Sequence, residues 1–249
     1  GKVHADNARR LGVKVVAVDT DPKAGADVTE DPSTEDFTHA VIATPVNTHM
    51  DLAVKLLEAD KGQRLQLLIE KPLCDFLPLN WINRFRDTYS NRISLGFNWR
   101  FNTVIQQIKH EIESDTFGDI QYAQLTAREW LPKIAANAWL ESGSHILDTA
   151  RFLFGELEFL HGRRFNGFAS AMLRSLGEGY WIDVHVNCCN ADPRYDYRIM
   201  IQGSKKTGIW QMDRNEPMLF REMQAFLGDK QGLATLQDGI ENMKLLGAI

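Results

Sequence analysis

The chain has 249 residues, 44% of them hydrophobic and 24% charged, a composition that excludes a disordered or collagenous protein. With 28 Lys and Arg against 33 Asp and Glu the formal charge is −5, and no basic block forms a phosphate-tracking stripe, so a nucleic-acid partner is not expected. No apolar run approaches the roughly 18 to 20 residues that span a bilayer, and the first residues lack the apolar core of a secretory signal, so neither a membrane partner nor export is expected. Three cysteines, Cys74, Cys188 and Cys189, form neither a disulfide framework nor a zinc pattern, and their odd number fits the cytoplasm.

Short apolar runs alternate with amphipathic stretches through the first part, as in strands joined by crossover helices. Val13 to Val18 reads as a buried strand and Phe37 to Ala43 as another. Leu52, Ala53, Leu56 and Leu57 recur at helical spacing between Val46 and Ala59, and Arg64 to Ile69 is strand-like again. A helix from Leu79 to Tyr89 leads to a strand at Ile93 to Phe97. This rhythm predicts a doubly wound parallel sheet of Rossmann type. After Asn98 the order changes to a helix (Val104 to Glu113), a strand (Ile120 to Trp130) and a helix (Ser144 to Phe154). Strands then follow one another at 158–165, 169–176, 180–189, 195–202 and 207–212, and helices at 216–227 and 233–248 close the chain. The expected architecture is a dinucleotide-binding domain over 1–97 and an α+β domain with an open, mostly antiparallel sheet over 98–249.

Polar residues at the carboxyl ends of the first strands are the natural place for a ligand of such a sheet. Asp19 follows Val13 to Val18, 18 positions after Gly1, close to the spacing at which an acidic residue accepts hydrogen bonds from an adenosine ribose. An Asp closing a strand before Asp-Pro is more often a turn residue. Glu70-Lys71-Pro72 closes the strand 64–69; a lysine there can exchange a proton with a substrate oxygen, or simply be a solvated strand-end side chain. In Thr44-Pro45-Val46-Asn47-Thr48-His49, Pro45 and Asn47 or Thr48 suit a helix entry, yet Asp19, Thr44 and Lys71 would share one edge.

Glu141, His145 and Asp148 stand four and three residues apart, along one face of a helix beginning near Ser142. A histidine between carboxylates suits acid/base work near neutral pH; a structural cluster at a helix start is the alternative reading. Metal binding ranks last, because His145 has no second histidine at ligand spacing. No phosphate loop, nucleophile elbow or H-E-x-x-H segment occurs. Trp130, Trp139 and Trp181 fit either a sugar-binding cleft or plain packing.

Taken in order, these segments resemble the Gfo/Idh/MocA family of NAD(P)-dependent oxidoreductases. GKVHADNARRLGVKVVAVDTDP is similar to the end of the family's glycine loop with its first helix and second strand, and VIATPVNTHMDLAVKLLEA to its A-T-P-x-x-x-H segment. LIEKPL matches the E-K-P signature, GFNWRF the sixth strand and its Arg, ESGSHILDTARFLFGE the catalytic helix and LQDGIENMKLLGAI the closing helix. The resemblance implies hydride transfer between a nicotinamide and a CH–OH or C=O carbon of a sugar, sugar nucleotide or polyol. Lys71 would be the catalytic lysine, beside a Pro72 bond that the family often has in cis, and His145 its proton-transfer partner. Glu141 stands where the family commonly has Asp, Asp148 would orient the helix face or touch substrate, and Arg100 and Trp130 would line the substrate cleft. Gly1, Asp19, Thr44, Pro45, Asn47, His49, Glu70 and Lys71 would hold the cofactor, with Asp19 favouring NAD over NADP because a carboxylate repels a 2′-phosphate. A homodimer or larger assembly is also implied.

Two departures stand out. The family's opening strand and first two loop glycines do not occur in the chain, which leads us to expect a fragment or an incomplete gene. The segment WLPKIAANAW is shorter than the family's usual loop before the catalytic helix. Both features keep a rival reading in view: a non-catalytic scaffold or sugar-binding relative that has lost cofactor binding.

Overall fold

The computed structural model describes residues 1–28, 37–76, 79–129, 139–165, 167–188 and 195–248. The chain forms two units, Gly1–Asn98 with Pro217–Ile240, and Trp99–Glu216 with Glu241–Ile249. Residues 217–240 were expected in the second domain and instead belong to the first, because they have partners there. Arg10 stacks its guanidinium 4.6 Å over the Phe220 ring, and Phe226 meets His39 edge-on at 5.2 Å.

The first unit is built on a sheet in which β1 (His39–Ile42), β2 (Gln66–Glu70) and β3 (Ile93–Gly96) run parallel, and β10 (Ala234–Thr235) adds antiparallel to β3. Leu67, Leu68 and Ile69 of β2 are all 0% exposed, which explains why this strand reads as a continuous apolar run: both its faces are covered. Helix α2 (His49–Ala59) buries Ala53, Leu56 and Leu57, the stripe visible in the sequence, while α1 (Lys2–Arg10), α3 (Leu79–Tyr89) and α6 (Met218–Leu227) complete the unit.

One expected strand is not formed. Residues 13–17 have no ladder, and Val18 makes only an isolated bridge to Val28. A strand is held by ladder bonds to a neighbour, and among the described residues the outer edge of β1 is not paired with this segment, so Val13 and Val16 stay 40% and 39% exposed.

The second unit is a six-stranded sheet in the order β5-β6-β7-β4-β8-β9, made of β4 (Ile120–Arg128), β5 (Leu157–Phe165), β6 (Phe168–Ser175), β7 (Trp181–Asn187), β8 (Asp196–Gly203) and β9 (Thr207–Gln211). All neighbours are antiparallel except β4 and β7. Alternate residues such as Ala123, Leu125, Ile182, Val184 and Ile199 are buried on one face, with α5 (Ser144–Phe154) packed against β4 and β7 and α4 (Thr103–Glu113) against α5. The other face is open and half polar. On it Tyr122 donates to Asp183 at 2.8 Å, beside half-exposed Trp181 and exposed Ile209. Helix α7 (Leu236–Gly247) ends in this unit.

Candidate functional site

In the first unit, the register Ile42↔Ile69 and Glu70↔Gly96 sends Thr44, Lys71 and Phe97 off the same carboxyl edge of the sheet. Lys71 is half-buried there, immediately after Glu70. The Glu70 carboxylate is clamped: His4 Nε2 lies 2.6 Å from Oε1, and the Lys71 backbone N–H donates to Oε2 at 3.2 Å. Beneath it is Gly96, where a Cβ would come within 3.3 Å of the Glu70 carboxyl carbon, so the third strand leaves room for the clamp. Burial pushes the Glu70 carboxyl up, but the His4 hydrogen bond and charge, with Lys71, outweigh it and hold the group below the usual carboxylate range.

The turn after β1 leaves Thr44, Pro45 and Asn47 exposed. Thr48 takes the N-cap position of α2, with its hydroxyl donating to the Pro45 carbonyl at 2.7 Å instead of capping the helix. His49 was expected to touch cofactor. The ring is instead 1% exposed, with the Pro72 carbonyl 3.0 Å from Nδ1 and the Thr44 carbonyl 2.9 Å from Nε2, so its polar atoms face backbone carbonyls of two turns. Gly1 caps α1 in open space, with no atom within 4 Å of where a Cβ would stand. Asp19 is exposed and accepts the Asp21 N–H at 2.9 Å, the turn geometry foreseen as its alternative role, on the segment outside the sheet.

In the second unit, a π-helical turn, Trp139–Gly143, leads into α5. It is bolted in place by Trp139, whose indole N–H donates to the Leu246 carbonyl at 3.0 Å, and by Asn242, which donates to the Ser144 carbonyl at 2.9 Å. Glu141 and His145 emerge from this turn partly exposed. The His145 ring lies parallel to the indole of Trp99, with centroids 4.9 Å apart and planes at 7°, and Tyr197 meets the same indole edge-on at 4.8 Å. Burial, with Glu129 as hydrogen-bond partner, pushes the Tyr197 phenol up.

Asp148 does not join Glu141 and His145 as a reacting group. It is 0% exposed, and its carboxylate is gripped by the Arg100 fork at 2.8 Å and 2.6 Å. Arg100 is 6% exposed and lies 5.0 Å over the Phe152 ring. Asp148 thus has the first of its two expected roles, orienting the helix, and Arg100, expected to line the cleft, is its buried partner. Trp130 lies outside the described residues. Among the described residues no group of three or more His, Cys, Asp or Glu side chains is gathered as for a metal ion.

Two residues that shape these sites were not singled out from the sequence. His4 is a polar residue on the buried stripe of α1 with Asn7 and Ala8, a pattern that signals a partner inside. Trp99 lies in the quoted GFNWRF segment, but its stacking on His145 joins residues far apart in the chain and has no local signal.

No family model matches the chain. It is 27% identical over 128 residues to inositol 2-dehydrogenase of Rhizobium meliloti (strain 1021), a match covering 49% of this chain and only 38% of that protein. Among solved structures, scyllo-inositol dehydrogenase from Lactobacillus casei with bound NAD(H) and scyllo-inositol is 19% identical, with TM-score 0.83, covering 100% of this chain and 92% of that one. The WlbA dehydrogenase from Bordetella pertussis, in complex with NADH and UDP-GlcNAcA, is 21% identical, with TM-score 0.79, over 100% and 91%. The chain thus has the fold of the Gfo/Idh/MocA-type inositol and sugar dehydrogenases, a Rossmann-type unit followed by a mostly antiparallel one, and the resemblance carried by its motifs stands at that level.

Proposed function

We propose that the chain is an NAD-dependent oxidoreductase that moves a hydride between nicotinamide and a CH–OH carbon of a polyol, sugar or sugar nucleotide. The observation that carries the reading is Lys71 at the carboxyl edge of β2, immediately after the clamped Glu70 carboxylate. The donor set of the first unit fits the cofactor. Exposed Thr44, Pro45 and Asn47 at the carboxyl edge of β1 would face the nicotinamide half of a bound cofactor, and the Asp19 carboxylate suits a ribose diol. Nicotinamide, when bound, supplies the hydride acceptor. Lys71 Nζ holds the reacting hydroxyl by a hydrogen bond and steadies its oxygen as the proton leaves. His145, half-buried with its ring stacked on Trp99, is the second unit's proton carrier in this reading, and Glu141 four residues earlier in the chain is its carboxylate partner.

The rival reading is a fold kept without cofactor. Titration with NADH, with NADPH beside it, separates the two. Saturable NADH binding followed by NADH formation from NAD with myo-inositol, scyllo-inositol or a UDP-sugar supports the enzyme; a folded, monodisperse sample that binds neither nucleotide overturns it. Lys71→Ala is expected to keep NADH binding while turnover falls by about 10²- to 10⁴-fold.

The open face of the six-stranded sheet, with Trp181 50% and Ile209 65% exposed, fits a second copy of the chain, and sedimentation of a Trp181→Lys variant tests this. No helix among the described residues is long and apolar enough to cross a membrane. The cytoplasm, where thiols such as Cys74 and Cys188 stay reduced, is the compartment we propose.

A further inference from the structure

Lys71 has a histidine tie on each side of it in the chain. The residue before it, Glu70, is held through its carboxylate by His4 at 2.6 Å; the residue after it, Pro72, is held through its carbonyl oxygen by His49 Nδ1 at 3.0 Å. The two histidines come from different helices, α1 and α2, so the turn is gripped from two directions. Both rings are almost fully enclosed, His4 at 4% and His49 at 1% exposure. Neither looks like a side chain placed for packing alone. His4 keeps its bond to Glu70 although its Nδ1 is buried with no hydrogen-bond partner among the described residues, an arrangement that an apolar side chain of similar size would avoid. His49 has a carbonyl within hydrogen-bond distance of each nitrogen, Thr44 of the turn after β1 and Pro72 of the turn after β2, and its N–H donates to the Pro72 carbonyl in the Nδ1–H tautomer. Those two turns leave the sheet at the same edge, Thr44 two residues beyond Ile42 and Pro72 three beyond its partner Ile69.

We propose that His4 and His49 are positioning residues that brace Lys71, fixing its backbone from both sides so that its ammonium is presented in one place at the sheet edge. The inference rests on the reading of Lys71 as the proton-handling residue, but the brace itself is a statement about geometry. A lysine on an unbraced strand-end turn samples many rotamers and backbone states, and each must be frozen out before a reacting oxygen is held. Glu70 adds a second effect. Its carboxylate, faced by His4 and Lys71, carries a fixed negative charge directly before the lysine, and the Lys71 backbone N–H is bonded to it.

The test needs a readout that does not depend on turnover. Reductive methylation with ¹³C-formaldehyde labels lysine amines, and the Lys71 signal is assigned by its loss in Lys71→Arg. In His4→Phe and His49→Phe the ring volume stays and the hydrogen bonds go; the Lys71 resonance is expected to move and sharpen while the other lysine resonances keep their positions. His4→Gln and His49→Gln each retain a side-chain N–H donor, so the signal is expected to return toward its wild-type position. A Lys71 resonance unmoved in either folded Phe variant overturns the brace, as does a shift that persists undiminished in the Gln variants. Where a Phe variant does not fold, Glu70→Gln replaces it, with the same displacement expected and an unmoved signal again overturning the proposal. Activity is read separately: kcat is expected to fall about 10²-fold in the Phe variants with little change in the KM for polyol. A displaced Lys71 signal in a chain that turns over no polyol or sugar supports the brace and removes the dehydrogenase reading, so the two fail in different ways.

Discussion

Arg100 and Asp148 meet as a two-point ion pair inside the second unit, with Nε donating to Oδ2 at 2.8 Å and Nη2 to Oδ1 at 2.6 Å. They come from the segment before α4 and from the middle of α5, and neither charge reaches water to any extent: the side chains are 7% and 0% exposed. A pair so enclosed gains little over apolar residues of the same shape, yet removing one partner strands the other. Asp148→Ala is therefore expected to lower unfolding stability by about 3–5 kcal/mol. Urea denaturation checks this, with His145→Ala as the contrast, since His145 is only half-buried and its loss should affect turnover far more than stability.

Glu70 gives stability a pH dependence whose sign follows from its surroundings. The folded chain holds the carboxyl below its ordinary value of 4.5, so on acidification the unfolded chain takes up the proton first. The stabilisation is complete above that ordinary value and is lost as pH falls through the lower, folded one. Glu70→Gln removes the ionisation. The melting temperature of wild type is expected to exceed that of the variant at pH 7, with the gap closing below pH 4.5. A gap constant from pH 7 down to pH 3 would show that the carboxylate is not held ionised by His4.

The architecture was legible because its causes are local. Leu79 to Tyr89 and Ser144 to Phe154 fold as helices over the spans that their apolar spacing indicated, and β2 needs no more than its run of Leu67, Leu68 and Ile69. Val13 to Val18 shows the limit of that logic. Its composition is that of a strand, but a strand is made by ladder bonds to a neighbour, and composition does not report whether the neighbour is there. The candidate sites divide in the same way. Lys71, Thr44 and His145 could be singled out because strand ends and helix faces are readable from spacing, and the structure places the first two at strand ends and the third on α5. Asp148 shared its helix face with His145 by spacing, and only its distance from Arg100, 48 positions earlier in the chain, shows that it is an interior charge.

The thiols give a chemical test of the interior. Burial pushes Cys74 up to about 12, and it also raises Cys188, which lies within 3.9 Å of the Ser142 hydroxyl. A thiol reacts as thiolate, so at pH 8 both should be inert in the folded chain. In a Cys189→Ser background, an aromatic disulfide reagent is expected to titrate no thiol until urea is added, and then two. Prompt reaction of either one in native buffer would mean that β2's outgoing turn or the end of β7 opens far more readily than its packing suggests.

Gly143 is where the second unit's candidate site meets its core. Its backbone, with φ −63° and ψ −37°, is ordinary helix, so glycine is not required there by conformation. Space requires it: a Cβ would stand 2.6 Å from Cε3 and 2.9 Å from Cδ2 of Trp139, an indole that is 1% exposed and anchored to the Leu246 carbonyl. In Gly143→Ala the indole must leave its anchor or the start of α5 must move, and His145 is two residues away on that start. The expected cost is about 1–3 kcal/mol, as for overpacking elsewhere, with turnover falling more than stability alone explains. A double-mutant cycle with Trp139→Leu locates the cause. If the clash is with the indole, Gly143→Ala costs less in the Leu background, giving a coupling of about 0.5–3 kcal/mol in urea denaturation. Equal costs in both backgrounds would place the strain in the helix itself and remove Trp139 from the account of how His145 is held.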